Sequence, residues 1–379
     1  MPIKPLYSLS KEDSLSQSKP DFFNHLLKGQ DVNPLISEVF KEMPANFRMV
    51  YLLILGSYRI LDKQDYQPFM VVITGPSGCG KTSLLNLFKG KKFLHIDTLT
   101  PAAFASHFAF KKREVLQKKV DLIPKMRGKI VLYKDLSSVF ADYKKSRELL
   151  SSYTRILDGD SFTKATGVHS PTIYVNTRHI SFGAVTSVNR RAFRLISEIG
   201  PRTFFIRMDE GEKIANFKEL MNRLENKTKE FLKQIPLLPV KEIDEKNKKR
   251  IEKLSLLLSV FRSLQPKSEA PHRINAIFDN IFQAAESILK GSGLLLLKKL
   301  VQESLPQERF DALCDLIQNG KLTGSYSFHR IRIFYSLKKR GELQKFLKES
   351  EVLSASGRLS NQWVWLTDSE FIKLWNDEI

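Results

Sequence analysis

The 379-residue chain is poor in cysteine: Cys79 and Cys314 are its only two, and neither stands in a C-x-x-C pair or a Cys/His cluster. That argues against a disulfide-held secreted fold and a structural zinc site. Long apolar runs are missing too. The longest, Met49–Gly56, is far short of the roughly 20 residues that a membrane-spanning helix needs. The first residues lack the apolar stretch of a signal peptide, and no internal repeat or useful heptad run is present. Acidic residues are in deficit, 41 against 61 Lys+Arg, which leaves a net charge of +20. Such a field concentrates polyanions at the surface, although lysines on solvated helix faces account for the same excess. With 42% hydrophobic and 10% aromatic residues the chain can bury an ordinary core, and its length allows two or three domains. The expectation is a soluble protein of a reducing compartment, cytoplasmic or nucleoid-associated, with no membrane partner.

Residues 1–20 are rich in Ser, Pro and Lys without periodicity and read as a loose arm. Asn33-Pro34 has the form of a helix cap followed by proline in the first turn. Phe47–Leu55 is apolar nearly all round and predicts a buried helix. Phe69–Thr74 is a continuous β-branched run of the kind a doubly covered parallel strand requires. Lys92–Ile96, Lys129–Tyr133, His179–Val185 and Thr203–Arg207 are further strand runs, separated by helical patterns, so a parallel α/β sheet with helices on both faces is expected. After Met208 the strands stop. Residues 211–262 and Ser268–Leu300 read as helical. Helical patterns at Gln307–Gln318, Ser327–Arg340 and Leu343–Ser350 then precede Val352–Ala355, a turn at Ser356-Gly357-Arg358, and a returning strand at Gln362–Leu366. Helices followed by a β-hairpin are winged-helix order. The divisions are 1–44, an arm with helices; 45–210, the α/β core; 211–302, an α-helical unit; and 303–379, a winged-helix-like unit.

Gly75-Pro76-Ser77-Gly78-Cys79-Gly80-Lys81-Thr82 satisfies G-x-x-x-x-G-K-[ST], directly after an apolar strand and directly before the helix pattern that opens at Ser83. Glycines let successive backbone N–H groups turn toward a phosphate, and a helix N-terminus adds its positive end. Lys81 is then placed for the β- and γ-phosphates and the Thr82 hydroxyl for Mg²⁺. A chance glycine-rich turn is the alternative, and the flanking strand and helix weigh against it. Bound ATP and Mg²⁺ are the expected cofactors. Cys79, inside the loop, reads as a small filler rather than a reactive thiol.

The metal also needs an acid at the end of a neighbouring strand. Ile130–Tyr133 leads to Lys134-Asp135, which makes Asp135 the Walker B candidate; a plain turn aspartate is the alternative. The glutamate that polarises water in hydrolysing relatives does not follow, because position 136 is Leu136. Binding is unaffected by that departure, whereas efficient hydrolysis is placed in doubt.

Four segments in order resemble the AAA+ ATPases of phages, plasmids and other mobile elements, whose layout is similar to the minichromosome-maintenance helicases. They are the P-loop, Asp97–Phe104, Lys134–Ser138, and Arg155–Gly159 leading to Lys164–Gly167. The likeness covers roughly residues 45–300. It implies an AAA+ core, an α-helical lid, and a homo-oligomeric ring, a hexamer among the sizes it allows. It also implies that Thr186 or Asn189 senses the γ-phosphate, that Arg202 is an arginine finger reaching a neighbour's nucleotide, and that Arg273 is the sensor 2 arginine. A surface salt bridge is the other reading of each arginine. Asp158–Gly167 becomes a hairpin whose Lys164 meets the DNA backbone; a surface hairpin with a solvated lysine is the alternative.

Arg330, Arg332, Lys338, Lys339 and Arg340 are consistent with a winged helix on a duplex. Trp363 and Trp365 alternate as strand residues do and read as packing for the small unit. His169, His179 and His272 have no metal-ligand spacing. The resulting expectation is an ATPase coupling nucleotide turnover to work on DNA, as a helicase-like motor or a loader with replication proteins as partners. A nucleotide-switched DNA- or protein-binding regulator is the second reading. A small-molecule kinase, suggested by the similarity of Gly75–Thr82 to guanylate kinases, is the third.

Overall fold

The computed structural model describes residues 26–27, 33–97, 99, 101–104, 121–137, 139, 143–166, 169–186, 188, 202–209, 216–263, 271–322 and 340–376. The expected arm, Asn189, and the basic positions Arg330, Arg332, Lys338 and Lys339 lie outside them.

Five strands form one parallel sheet: β1 (Phe69–Thr74), β2 (Phe93–Ile96), β3 (Ile130–Tyr133), β6 (Ile180–Val185) and β7 (Thr203–Arg207), in the order β2-β3-β6-β1-β7. Between β3 and β6 the chain forms an antiparallel hairpin of β4 (Ser161–Thr166) and β5 (His169–Val175). In β1 every residue is buried, as its β-branched run requires. Alternate residues serve opposite faces. Phe69, Val71 and Ile73 join one hydrophobic cluster, while Met70 and Val72 join another.

The first cluster is covered by α1 (Pro34–Glu42), α2 (Ala45–Ile60) and α3 (Lys81–Asn86), together with the helical region after β7. The Asn33 side chain accepts from Leu35 N at 3.0 Å, so the asparagine-proline start works as a cap. The second cluster is covered by α4 (Pro101–Phe104), α5 (Leu122–Met126) and α6 (Tyr143–Ile156). Helices on both faces of the parallel sheet make the core α/β, as expected.

Beyond Met208 the described residues contain no further strand. They form α7 (Phe217–Gln234), a 3-10 turn at Ile235–Leu237, α8 (Glu245–Arg262), α9 (Pro271–Ile288), α10 (Gly293–Ser304), α11 (Gln307–Asn319) and α12 (Arg340–Glu349). A 3-10 helix at Asn361–Thr367 and α13 (Ser369–Asn376) follow. The expected strand at Gln362–Leu366 is therefore corrected. Its buried residues are Trp363 and Leu366, three apart, which is the period of a 3-10 turn and not of a strand. Only single bridges, Leu353 to Leu359 and Lys321 to Arg358, stand where the hairpin was expected. The tryptophans do pack the small unit: the rings of Trp363 and Trp365 stack at 5.5 Å, and Trp363 meets Phe261 of α8.

A buried polar chain ties α6 to the sheet. The Tyr153 hydroxyl bonds His179 Nε2 at 3.0 Å and Ser181 Oγ, and His179 Nδ1 is 2.7 Å from the Thr177 carbonyl. With the carbonyl as acceptor, Nδ1 carries the proton and Nε2 accepts from Tyr153. Burial holds the His179 imidazole neutral, lowering its pKa to about 4. The unfolded chain takes up this proton near pH 6.5 and the folded chain only near 4, so stability is lost as pH falls through that window. The loss attributable to this group is about 3 kcal/mol. Urea midpoints measured from pH 7 to 4 should fall accordingly, and a His179→Gln chain should show a shallower decline over the same range.

Candidate nucleotide site

The site is assembled by strand register. Because β6 lies between β1 and β3, with Ile73 opposite Ala184 and Tyr133 opposite Gly183, the carboxyl ends of the three strands finish side by side. The glycine loop leaves β1 there and runs into α3. Gly78 has φ of 84° and Gly80 φ of 89°, a left-handed backbone that glycine adopts without cost. Gly75 is required for a different reason. A Cβ at that position would stand 2.2 Å from the Met208 carbonyl oxygen, which is main chain and fixed by the bond from Met208 N to Thr74 O.

Ser77, Gly78, Gly80, Lys81, Thr82 and Ser83 line a cleft of about 320 Å³ with Lys134, Asp135, Ser137, Thr186 and Phe217. The Lys81 ammonium is 8% exposed as a residue and donates to the carbonyls of Gly75 and Pro76, both at 2.7 Å. Cys79 is buried against it, its Sγ 3.5 Å from Lys81 Nζ. Thr82 Oγ1 donates to the Lys134 carbonyl at 3.4 Å, so the start of α3 is tied to the end of β3. Asp135 is exposed, and its Oδ1 accepts from Ser137 N at 2.7 Å, an Asx turn that aims the carboxylate. Ser137 Oγ lies 3.3 Å from both Thr186 Oγ1 and Thr186 N.

The cleft thus brings together Ser77, Gly78, Gly80–Ser83, Asp135 and Thr186. Thr82 and Asp135 are oxygen donors beside a phosphate-sized cradle, a set that suits Mg²⁺, which takes one or two protein oxygens and completes its shell from phosphates and water. Leu136 does not face this cleft. It is 1% exposed and packs on β6, where a Cβ at Gly183 would lie 2.2 Å from Leu136 Cδ1. Asp135 is the only carboxylate among the described lining residues.

Arg202 and Arg273 are not in this cleft. Arg202 precedes β7, its carbonyl accepting from Met70 N, so it stands at the amino end of β1. Six residues of strand, roughly 17 Å, separate it from the glycine loop. There it joins Arg155, Arg178, His272 and Arg273 with Asp158 and Asp160 around a second cavity of about 570 Å³. The Arg202 guanidinium is 6% exposed as a residue and is paired with Asp158, while its Nε has no hydrogen-bond partner among the described residues. Here the guanidinium is turned onto an aspartate of its own chain. Lys164 falls on β4 opposite Thr172, in a hairpin of β4 and β5 that extends to Val175, beyond the expected Asp158–Gly167.

Ser137, Lys134 and Phe217 were not anticipated as lining residues. The first two adjoin Asp135 and could have been found from that position. Phe217 arrives from α7, 82 residues farther on than Asp135, and has no local signal.

The fold and this cleft define a parallel α/β protein compatible with a P-loop-like fold. No protein-family model matches the chain, and no curated protein matches it.

Two glycine substitutions separate the roles of the loop. Gly75→Ala, forced against a main-chain oxygen, should cost about 3 kcal/mol or more. Gly78→Ala, with nothing within 4 Å of the added methyl group, should cost only about 1–2 kcal/mol for its left-handed backbone. Urea unfolding of the two variants checks the order.

Proposed function

We propose that the chain binds MgATP in the Gly75–Ser83 cleft and acts as an AAA+-type ATPase on DNA, as a helicase-like motor or a loader. The observation that carries the nucleotide part is the convergence of the glycine loop, Lys81, Thr82, Asp135 and Thr186 on one cleft. In this reading Lys81 exchanges its two loop carbonyls for phosphate oxygens, and the loop amides hold the remaining charge. Thr82 and Asp135 would hold Mg²⁺, which would supply positive charge to offset that of the phosphates. Thr186, steadied by Ser137, is placed to meet the γ-phosphate.

The arginine cavity supports a site completed between copies. No side chain spans the length of β1, so Arg202 and Arg273 can act on a phosphate only if another copy presents it. Arg202 would have to exchange Asp158 for that phosphate. The net charge of +20 and the position of Lys164 on a hairpin support a nucleic-acid partner, through phosphate contacts that read no sequence.

One observation favours the second reading, a nucleotide-switched regulator with little turnover. Leu136 is buried against Gly183, and among the described residues no second carboxylate lines the cleft to polarise water. The kinase reading gains no such support.

Turnover measured with and without single- and double-stranded DNA, beside mass determination with ATP, separates these readings. DNA-stimulated hydrolysis by an ATP-dependent oligomer is expected for the motor. A folded, ATP-bound oligomer without turnover on any nucleic acid would select the regulator instead. Lys81→Ala should weaken MgATP binding about ten- to a hundred-fold, the worth of charge-assisted hydrogen bonds. Arg202→Ala titrated into wild type should poison turnover at substoichiometric ratios if the site is shared.

A further inference from the structure

The phosphate cleft has two unlike walls. Toward β3 and β6 it is polar, with Lys134, Asp135, Ser137 and Thr186. On its other side stands Phe217, the first residue of α7 and the only aromatic ring among the described lining residues. This ring is half-buried and braced. It meets Phe47 edge to face, with centroids 6.4 Å apart and planes at 88°. Phe47 in turn abuts the glycine loop so closely that a Cβ at Gly80 would lie 2.5 Å from its Cζ. Ring, brace and phosphate loop are therefore one packed unit.

Beside it, Asn46 Nδ2 donates to the Cys79 carbonyl at 3.3 Å and to the Asp209 carbonyl at 2.9 Å. Those two acceptors settle the amide's orientation, since the reverse placement would set oxygen against oxygen. Asn46 Oδ1 is then a buried acceptor without a partner among the described residues. A buried acceptor left unmade costs free energy, so the group is poised for a donor.

Phe217 lines the cleft and Asn46 holds the Cys79 carbonyl of the same glycine loop from outside the cleft lining, so an apolar ring and an orphan acceptor flank the loop and together complement a flat heteroaromatic ring that bears an amino group. We infer that Phe217 stacks on the adenine of the bound nucleotide while Asn46 Oδ1 accepts a hydrogen bond from its 6-amino group. This inference rests on the nucleotide reading of the cleft. It makes Phe217 and Asn46 the residues that hold and select the base, a task separate from the phosphate grip of Lys81.

The two tasks are separated by comparing MgATP with magnesium tripolyphosphate, which carries the phosphates without a base. Calorimetric titration of the full chain should show wild type binding ATP more tightly than tripolyphosphate. Phe217→Ala should weaken ATP about five- to a hundred-fold, the range of one base–aromatic stack, and leave tripolyphosphate affinity unchanged. Retained tripolyphosphate binding also certifies that the variant's loop is intact, and Phe217→Tyr should restore ATP affinity. Purine riboside triphosphate, which lacks the 6-amino group, should bind wild type several-fold more weakly than ATP. Phe217→Ala weakening both ligands equally, or neither, overturns the stacking role. Equal affinity for the two purine nucleotides overturns the role of Asn46. Wild type that binds neither ATP nor tripolyphosphate overturns the nucleotide reading itself, and this inference with it.

Discussion

The arrangement of the molecule depends on β6 being inserted between β1 and β3 in parallel register. Glycine loop, Asp135 and Thr186 follow the ends of β1, β3 and β6 at Thr74, Tyr133 and Val185, far apart in the chain, and only that register brings them level. Gly183 in the middle of β6 makes the insertion possible. Its missing side chain is filled by Leu136, whose N–H also bonds the Ala184 carbonyl. The residue after Asp135 is thus used to lock the two strands together. Packing occupies that position.

The sheet has two charged ends rather than one. At the carboxyl ends Lys81 and Lys134 gather positive charge beside a single carboxylate among the described residues. At the amino ends, four arginines surround two aspartates. The tight turn between α6 and β4 shapes that second end: Gly159, at φ of 82°, is pressed between Pro68 and Arg178, so that Asp158 faces Arg202. The Arg202 guanidinium is buried although its partner Asp158 is half-exposed, so its desolvation is only partly offset, and an Nε without a partner among the described residues adds to that cost. Packing alone is met more cheaply by apolar residues, and that asymmetry singles out this end of the sheet.

Much of the core was legible in the sequence because its signals are local. Phe69–Thr74 reads as a doubly covered strand since each residue is apolar, and the glycine loop declares itself between strand and helix. Asn33-Pro34 announces a helix start through groups one or two residues apart. What was not legible depends on tertiary placement. Trp363-Val364-Trp365 alternates like a strand, yet the 3-10 helix Asn361–Thr367 buries Trp363 and Leu366, and so short a segment supports either period. Arg202 and Arg273 were each assigned from order along the chain, but their shared cavity requires α9 to cross the amino end of β1. Phe217 enters the phosphate cleft by the fold alone.

The element that joins these parts is β7. As an edge strand it would expose unpaired main-chain groups, and the helical region closes that edge. Phe205 N donates to Ser304 Oγ at 2.9 Å, and Arg262 Nη1 donates to the Thr203 carbonyl at 2.7 Å. Arg262 is itself fully buried, with its guanidinium over the Phe204 ring. The same strand carries Arg202 at its start and leads to Met208 at its end, where the main-chain oxygen leaves Gly75 no room for a side chain. One five-residue strand therefore sets the arginine cavity, the root of the glycine loop and the seat of the helical region together. A displacement of any one of these must break a side-chain bond to the strand or shift β7 against β1.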